Sequence, residues 1–304
     1  MTTDRIRGVL SPVVTPFKSD LSPDPERFIR HCRWLLSQDV GLAAFGTNSE
    51  ANSLSTDERI ELLDRVVGAG LDPARMMPGT GCCALTDTVR LTAHAMKVGC
   101  AGVLMLPPFY YKGVSDEGLF RSFSEVIERV GDRRLRVYLY HIPPVAQVPI
   151  TLALIERLLK AYPHTVAGIK DSGGDWANTK ALLDAFGRSG FDVFPGSETF
   201  LLAAMREGGA GCISATANVN PGAIARLHAT WQAPDAPAQQ TSLDAIRSIM
   251  QGYVMIPALK AAIAHWAQDP AWGTVRPPLV PLTPAEGTDL AARLRTAGFA
   301  MPGL

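Results

Sequence analysis

The chain has 304 residues, 47% of them hydrophobic and 19% charged, which is enough to bury a large core and excludes a disordered chain. Its 29 lysines and arginines balance its 29 aspartates and glutamates, and no long run carries one sign. The charge therefore recommends neither a nucleic acid nor an anionic membrane as partner, and a small, roughly neutral ligand or a locally bound anion fits better. The N-terminal MTTDRIRGVL holds too short an apolar segment for a signal peptide, and no stretch reaches the roughly 18 apolar residues of a membrane span, so a cytoplasmic protein is expected.

Eight short apolar runs follow one another along the chain: 8–17, 40–46, 75–81, 101–108, 136–143, 165–170, 191–196 and 211–216. They have strand length, several are continuously apolar as buried parallel strands are, and most end in Gly, Pro, Thr or Ser. Between them lie segments with helix punctuation. In SLSTDERIELLDRVVGAG, Ser55 and Glu58 have capping-box spacing and a glycine closes the run; TDTVRLTAHAMKVG and SDEGLFRSFSEVIERVG repeat the plan. Strands alternating with helices predict a (β/α)8 TIM barrel over residues 1–220. A doubly wound open sheet would need a glycine-rich phosphate turn after the first strand, where this chain has TPFKSDLSPD. Beyond residue 220 the strand signal stops. Helical patterns over 221–304 predict a C-terminal extension packed on the barrel, with QAPDAPAQQ as a loop and a break or kink at Pro257.

Five cysteines lack metal-ligand spacing and mostly sit in apolar segments, which reads as reduced core thiols, and the six histidines are scattered, so no metal is expected.

In a barrel of this kind the carboxyl ends of the strands carry the site. Lys170 closes the sixth run, Tyr140 lies near the end of the fifth, GTNSE (46–50) follows the second, and PPFYYKG (107–113) follows the fourth. Alternation puts Val166, Gly168 and Lys170 on one face, with the glycine leaving room beside the lysine. On spacing alone two readings stand: Lys170 is placed for chemistry, or it snorkels from a barrel rim while Tyr140 packs as an ordinary half-buried tyrosine.

GTNSE, PPFYYKGVSDEGL, LYHIP, GIKDSGG and ISATANV occur in the order and spacing of the N-acetylneuraminate lyase and dihydrodipicolinate synthase superfamily. The resemblance runs from the first strand to MIPALKAAI (255–263). It implies a pyruvate-type class I lyase, with no cofactor beyond a covalent imine between Lys170 and a 2-oxo acid. In the matching positions Tyr140 would transfer the proton, and Thr47 would link it to Tyr111 reaching in from a neighbouring subunit of a homotetramer. Thr47 and Asn48 would hold the substrate carboxylate, and Gly196 and Ile213 would supply backbone groups. The chemistry asks for these types: an amine must shed its proton to attack a ketone, the protonated imine then withdraws electrons, and a phenol shuttles the proton.

Two departures bear on specificity. Ser49 stands where the family usually carries glycine, which would strain the loop if that position requires a positive φ. Val145 stands where the dihydrodipicolinate-forming members have an arginine, so a bidentate carboxylate clamp is missing. A sugar-acid-like substrate is therefore expected rather than aspartate semialdehyde. The alternatives are a sugar-acid dehydratase using the same lysine, a catalytically silent 2-oxo-acid-binding protein, and a 4-hydroxy-tetrahydrodipicolinate synthase. Ser197 and Glu198 are either substrate contacts or the start of a helix. The glycines of DSGGDW read as a turn before a helix beginning near Asp175.

Overall fold

The computed structural model describes residues 5–304, so the first four residues of MTTDRIRGVL lie outside the described residues. Seven strands form among the described residues: β1 (Gly8–Ser11), β2 (Gly41–Leu42), β3 (Val103–Met105), β4 (Val137–His141), β5 (Val166–Asp171), β6 (Asp192–Pro195) and β7 (Gly211–Ile213). The chain divides into two compact units, one of residues up to Arg7 with Asp72–Cys212, the other of Gly8–Leu71 with Ile213–Leu304.

The first unit is built on a parallel sheet in the order β3-β4-β5-β6, every strand of it buried, as near-continuous apolar runs require. The run expected as a third strand (75–81) enters this ladder only as an isolated bridge. Gly79 pairs with Leu104 in parallel, Thr80 N–H donates to Leu104 O at 3.0 Å, and Leu104 N–H donates to Pro78 O at 2.9 Å. Pro78 has no N–H to continue the pairing, which is why the segment stays short of a regular strand.

The pairing of β4 with β5 slips once. Val137 faces Val166 but Tyr138 faces Gly168, so Ala167 is an extra residue, a bulge. Its carbonyl accepts from Arg5 Nη1 at 2.9 Å, and Arg5 with Arg7 pairs with the buried Asp192 at 3.3 and 2.9 Å. From Gly168 onward the register is regular and brings Tyr140 opposite Lys170. The space at Gly168 is taken by the Asp192 carbonyl and the Tyr138 ring, which corrects the expectation that it serves the lysine: a Cβ there would fall onto the carbonyl oxygen and lie 2.7 Å from the ring, and one at Gly102 would lie 2.9 Å from the same ring. Tyr138 is fully buried, meets Phe194 edge-on with centroids 5.9 Å apart, and has its hydroxyl 3.5 Å from Asp192. Burial, reinforced by that carboxylate, pushes the phenol above its usual range.

In the second unit β1 and β2 pair in parallel, Leu10 opposite Gly41, and just past the end of β7 Ser214 N–H donates to Leu10 O at 3.3 Å. The helix Thr56–Gly68 has the expected capping box: Ser55 accepts from Glu58 N–H at 3.1 Å and donates its own N–H to Glu58 at 2.8 Å. Two boundaries differ from expectation. The loop after residue 230 is shorter, because a helix begins at Ala236 with Pro237 in its first turn, where a missing N–H costs nothing. The long central segment breaks at residues 252–254, between helices Ala236–Gln251 and Met255–Trp266, and Pro257 sits in the first turn of the second for the same reason. Among the described residues no helix is long and apolar enough to cross a membrane.

Candidate active site

Lys170 and Tyr140 stand side by side near the carboxyl ends of β5 and β4, each 2% exposed, with Lys170 Nζ 4.2 Å from the centroid of the Tyr140 ring. No carboxylate among the described residues is in ion-pair contact with Lys170. A buried lysine without such a partner is expensive for the fold, which favours chemistry over the snorkelling reading. The flanking polar residues are taken up in structure. The Asp171 carboxylate accepts from Gly173 N–H at 3.0 Å, Asn178 Nδ2 at 3.0 Å and Thr179 Oγ1 at 2.6 Å, tying the end of β5 to the helix Trp176–Phe186. His141 Nδ1 accepts from Ile150 N–H at 3.0 Å; burial lowers this imidazole, with the Asp171 carboxylate opposing. The turn expected at DSGGDW is present: Gly174 takes φ 78, and Asp175 caps the helix by accepting from Ala177 N–H at 2.9 Å.

At the end of β6, Gly196 donates its N–H to Asp171 O at 2.6 Å, so the backbone group it has left to offer is its carbonyl. It packs so closely on Ser172 that a Cβ would fall onto that side chain. Ser197 accepts from Thr199 N–H at 3.3 Å and starts the turn Glu198–Phe200 with Glu198 in its first turn, as the cap reading expected, and Glu198 is 1% exposed. Tyr111 and Val145 are 73% and 60% exposed. Lys112 joins the loop of Tyr111 to the short helix Pro143–Ala146 that carries Val145, donating to the carbonyls of Phe109 and Ala146, the latter at 2.8 Å.

In the second unit Thr47 and Asn48, both half-buried, begin the 3₁₀ turn Thr47–Ser49, and Ile213 ends β7 fully buried. Ser49 is fully buried with right-handed backbone; its hydroxyl accepts from Gly46 N–H at 3.2 Å and its carbonyl accepts from Thr15 Oγ1 at 2.7 Å. The positive φ values fall at Phe45 (61°) and Glu50 (55°), so serine is unstrained at 49. The Glu50 side chain is held by Lys260 and Arg276, neither of which the sequence reading named.

Among the described residues no group of three or more His, Cys, Asp and Glu is arranged to hold a metal. Cys32, Cys100 and Cys212 are core thiols as expected, and burial raises Cys100 to about 12. Cys82 and Cys83 are not: they lie half-buried and exposed in the segment just before helix Leu85–Lys97.

The structure is similar over nearly its whole length to solved members of one class of (β/α)8 barrel. The dihydrodipicolinate synthase of Agrobacterium tumefaciens str. C58 superposes with a TM-score of 0.88 at 31% identity, covering 96% of this chain and 99% of that one. A prophage protein of the dihydrodipicolinic acid synthase family from E. coli K12, solved in complex with pyruvate, gives 0.88 at 26% identity, covering 97% and 99%. The fold is thus a TIM barrel followed by helices, and the class is that of class I lyases and aldolases. The sequence profile of the Dihydrodipicolinate synthetase family matches residues 5–297, and the chain belongs to that family as one of its lyases. A protein of Chloroflexus aurantiacus named as an uncharacterized DapA-like lyase is 37% identical over 289 residues, 94% of this chain and 95% of that one.

Because Ser49 needs no positive φ and its hydroxyl closes the turn, Ser49→Gly should destabilise the protein by about 1–2 kcal/mol through lost hydrogen bonding and added chain entropy. Thermal unfolding checks this; a stability equal to or above wild type would mean that the turn prefers the family's glycine.

Proposed function

We propose that the protein is a Schiff-base lyase acting on 2-oxo acids through Lys170. The observation that carries the reading is the buried Lys170 amine, without a carboxylate partner, against the Tyr140 ring. In its neutral form Nζ attacks the ketone carbon of pyruvate, water leaves, and the protonated imine draws electrons from the neighbouring carbon, so that a carbon–carbon bond there can break or form through the enamine. Tyr140 carries the proton between substrate and solvent. Thr47 and Asn48 hold the carboxylate, and the Gly196 carbonyl and the Ile213 backbone face the imine. Tyr111 reaches a neighbouring copy in a homotetramer, for which its exposure leaves it available. None of these steps calls on a metal. The helices beyond residue 220 serve as an extension of the barrel, and the enzyme works in the cytoplasm.

Intact mass after treatment with pyruvate and borohydride tests this. Wild type should gain one reduced pyruvyl group, located on the peptide bearing Lys170, and Lys170→Ala should gain none. An unchanged wild-type mass would overturn the Schiff-base reading and leave a silent binding protein.

For the aldehyde partner, Val145 supports a hydroxylated, sugar-acid-like substrate over one with its own carboxylate. A bidentate arginine there would contribute roughly 1.5–3 kcal/mol, and valine contributes none of it. The semialdehyde condensation is the second reading, favoured by the likeness to the Agrobacterium synthase. In a panel of 2-oxo acids, sugar acids and aspartate semialdehyde, the semialdehyde should turn over at least about tenfold more slowly than the best hydroxylated compound. Pyruvate release marks aldol cleavage, and a 2-oxo acid without pyruvate marks dehydration. The semialdehyde as best substrate would reverse the assignment.

A further inference from the structure

Lys170 is one of two buried lysines among the described residues. Lys260, on the helix Met255–Trp266, is 0% exposed, forms an ion pair with Glu50 and donates to Thr274 O at 2.8 Å. Burial draws this ammonium down to about 8, with Glu50 opposing. The second oxygen of Glu50 accepts from Arg276 N–H at 3.0 Å. A buried pair of this kind does little for stability compared with apolar residues of the same shape, so its place in the fold needs another account.

That account lies in the backbone of Glu50. Its φ of 55° is a left-handed conformation that a residue with a side chain keeps only where its surroundings impose it. Glu50 ends the 3₁₀ turn that carries Thr47 and Asn48, its N–H donating to Thr47 O at 3.1 Å. The far side of the same loop is fixed as well, because Arg276 donates to Ser53 O at 2.5 Å and pairs with Glu58. The strained residue is thus clamped from two directions, and the turn before it inherits the clamp.

We propose that Lys260 is a positioning residue for the substrate-carboxylate loop: its bond to Glu50 sets the orientation of Thr47 and Asn48, and so the affinity for the 2-oxo acid. The inference rests on the role proposed above for those two residues. Three forms test it: wild type, Lys260→Met, and Lys260→Met with Glu50→Gln, the last leaving no unpaired buried charge. Each is read for thermal stability, for the pyruvate concentration giving half-maximal borohydride trapping, and for hydrogen exchange of the amides of residues 46–51. Lys260→Met should lose stability and raise the half-saturating pyruvate at least tenfold. The double variant should recover most of the stability while the half-saturation stays at least tenfold raised and the 46–51 amides exchange faster. If the double variant recovers stability, wild-type half-saturation and wild-type exchange together, the pair serves the fold alone and the inference falls. If wild type traps no pyruvate at all, the Schiff-base reading falls instead, and the exchange rates alone then decide whether Lys260 orders the loop.

Discussion

The parallel ladder between β4 and β5 sets Tyr140 opposite Lys170, and the site depends on that register. Side chains alternate along a strand, so a slip of one residue would turn the lysine to the opposite face. The extra residue at Ala167 is itself such a slip, built in: without it Tyr140 would face Ile169. Two features hold it. Arg5 takes the Ala167 carbonyl that the bulge displaces, and the Tyr138 ring fills the space above Gly102 and Gly168, which no side chain of their own could share. Bulges beside active sites commonly re-aim a side chain, and here the re-aimed one is Lys170, the nucleophile of the proposed mechanism.

The two buried lysines show how one residue type is put to different uses. Each has an aromatic face, Phe17 at 4.4 Å for Lys260 and Tyr140 at 4.2 Å for Lys170, but only Lys260 adds a carboxylate and a carbonyl for its ammonium, the contacts of the proposed tether. Burial alone does not distinguish them, since both are essentially inaccessible. The partner does. A lysine paired with Glu50 has its donors committed, whereas Lys170, with no carboxylate in ion-pair contact among the described residues, has the nitrogen that the proposed mechanism uses.

Much of this was legible in the sequence, and what was not has identifiable causes. A lysine at the end of an apolar run pointed to Lys170, and alternating strands and capped helices pointed to the barrel. A lysine among apolar residues stands in IPALKAAI as well, but in a helical pattern an internal lysine reads as a solvated position, and only the fold turns Lys260 inward. The bulge left no mark in VAGIK, since it depends on Arg5, more than 160 residues away. Pro78 did leave a mark: a proline within a strand-length run argues against regular pairing. Ser49 looked troublesome because the sequence shows which residue departs from the family's pattern and not where the chain turns left-handed, and the turn falls one residue later, on Glu50.

The central claim is that this register delivers the Tyr140 hydroxyl to a bond made on Lys170. Tyr140→Phe removes that hydroxyl and keeps the ring against the amine, so it separates proton transfer from packing. Single-turnover kinetics on the best substrate, run beside pyruvate trapping, measures the two at once. The account predicts wild-type trapping with turnover reduced by about 10²–10⁴-fold. Turnover near the wild-type rate, with trapping intact, would contradict it.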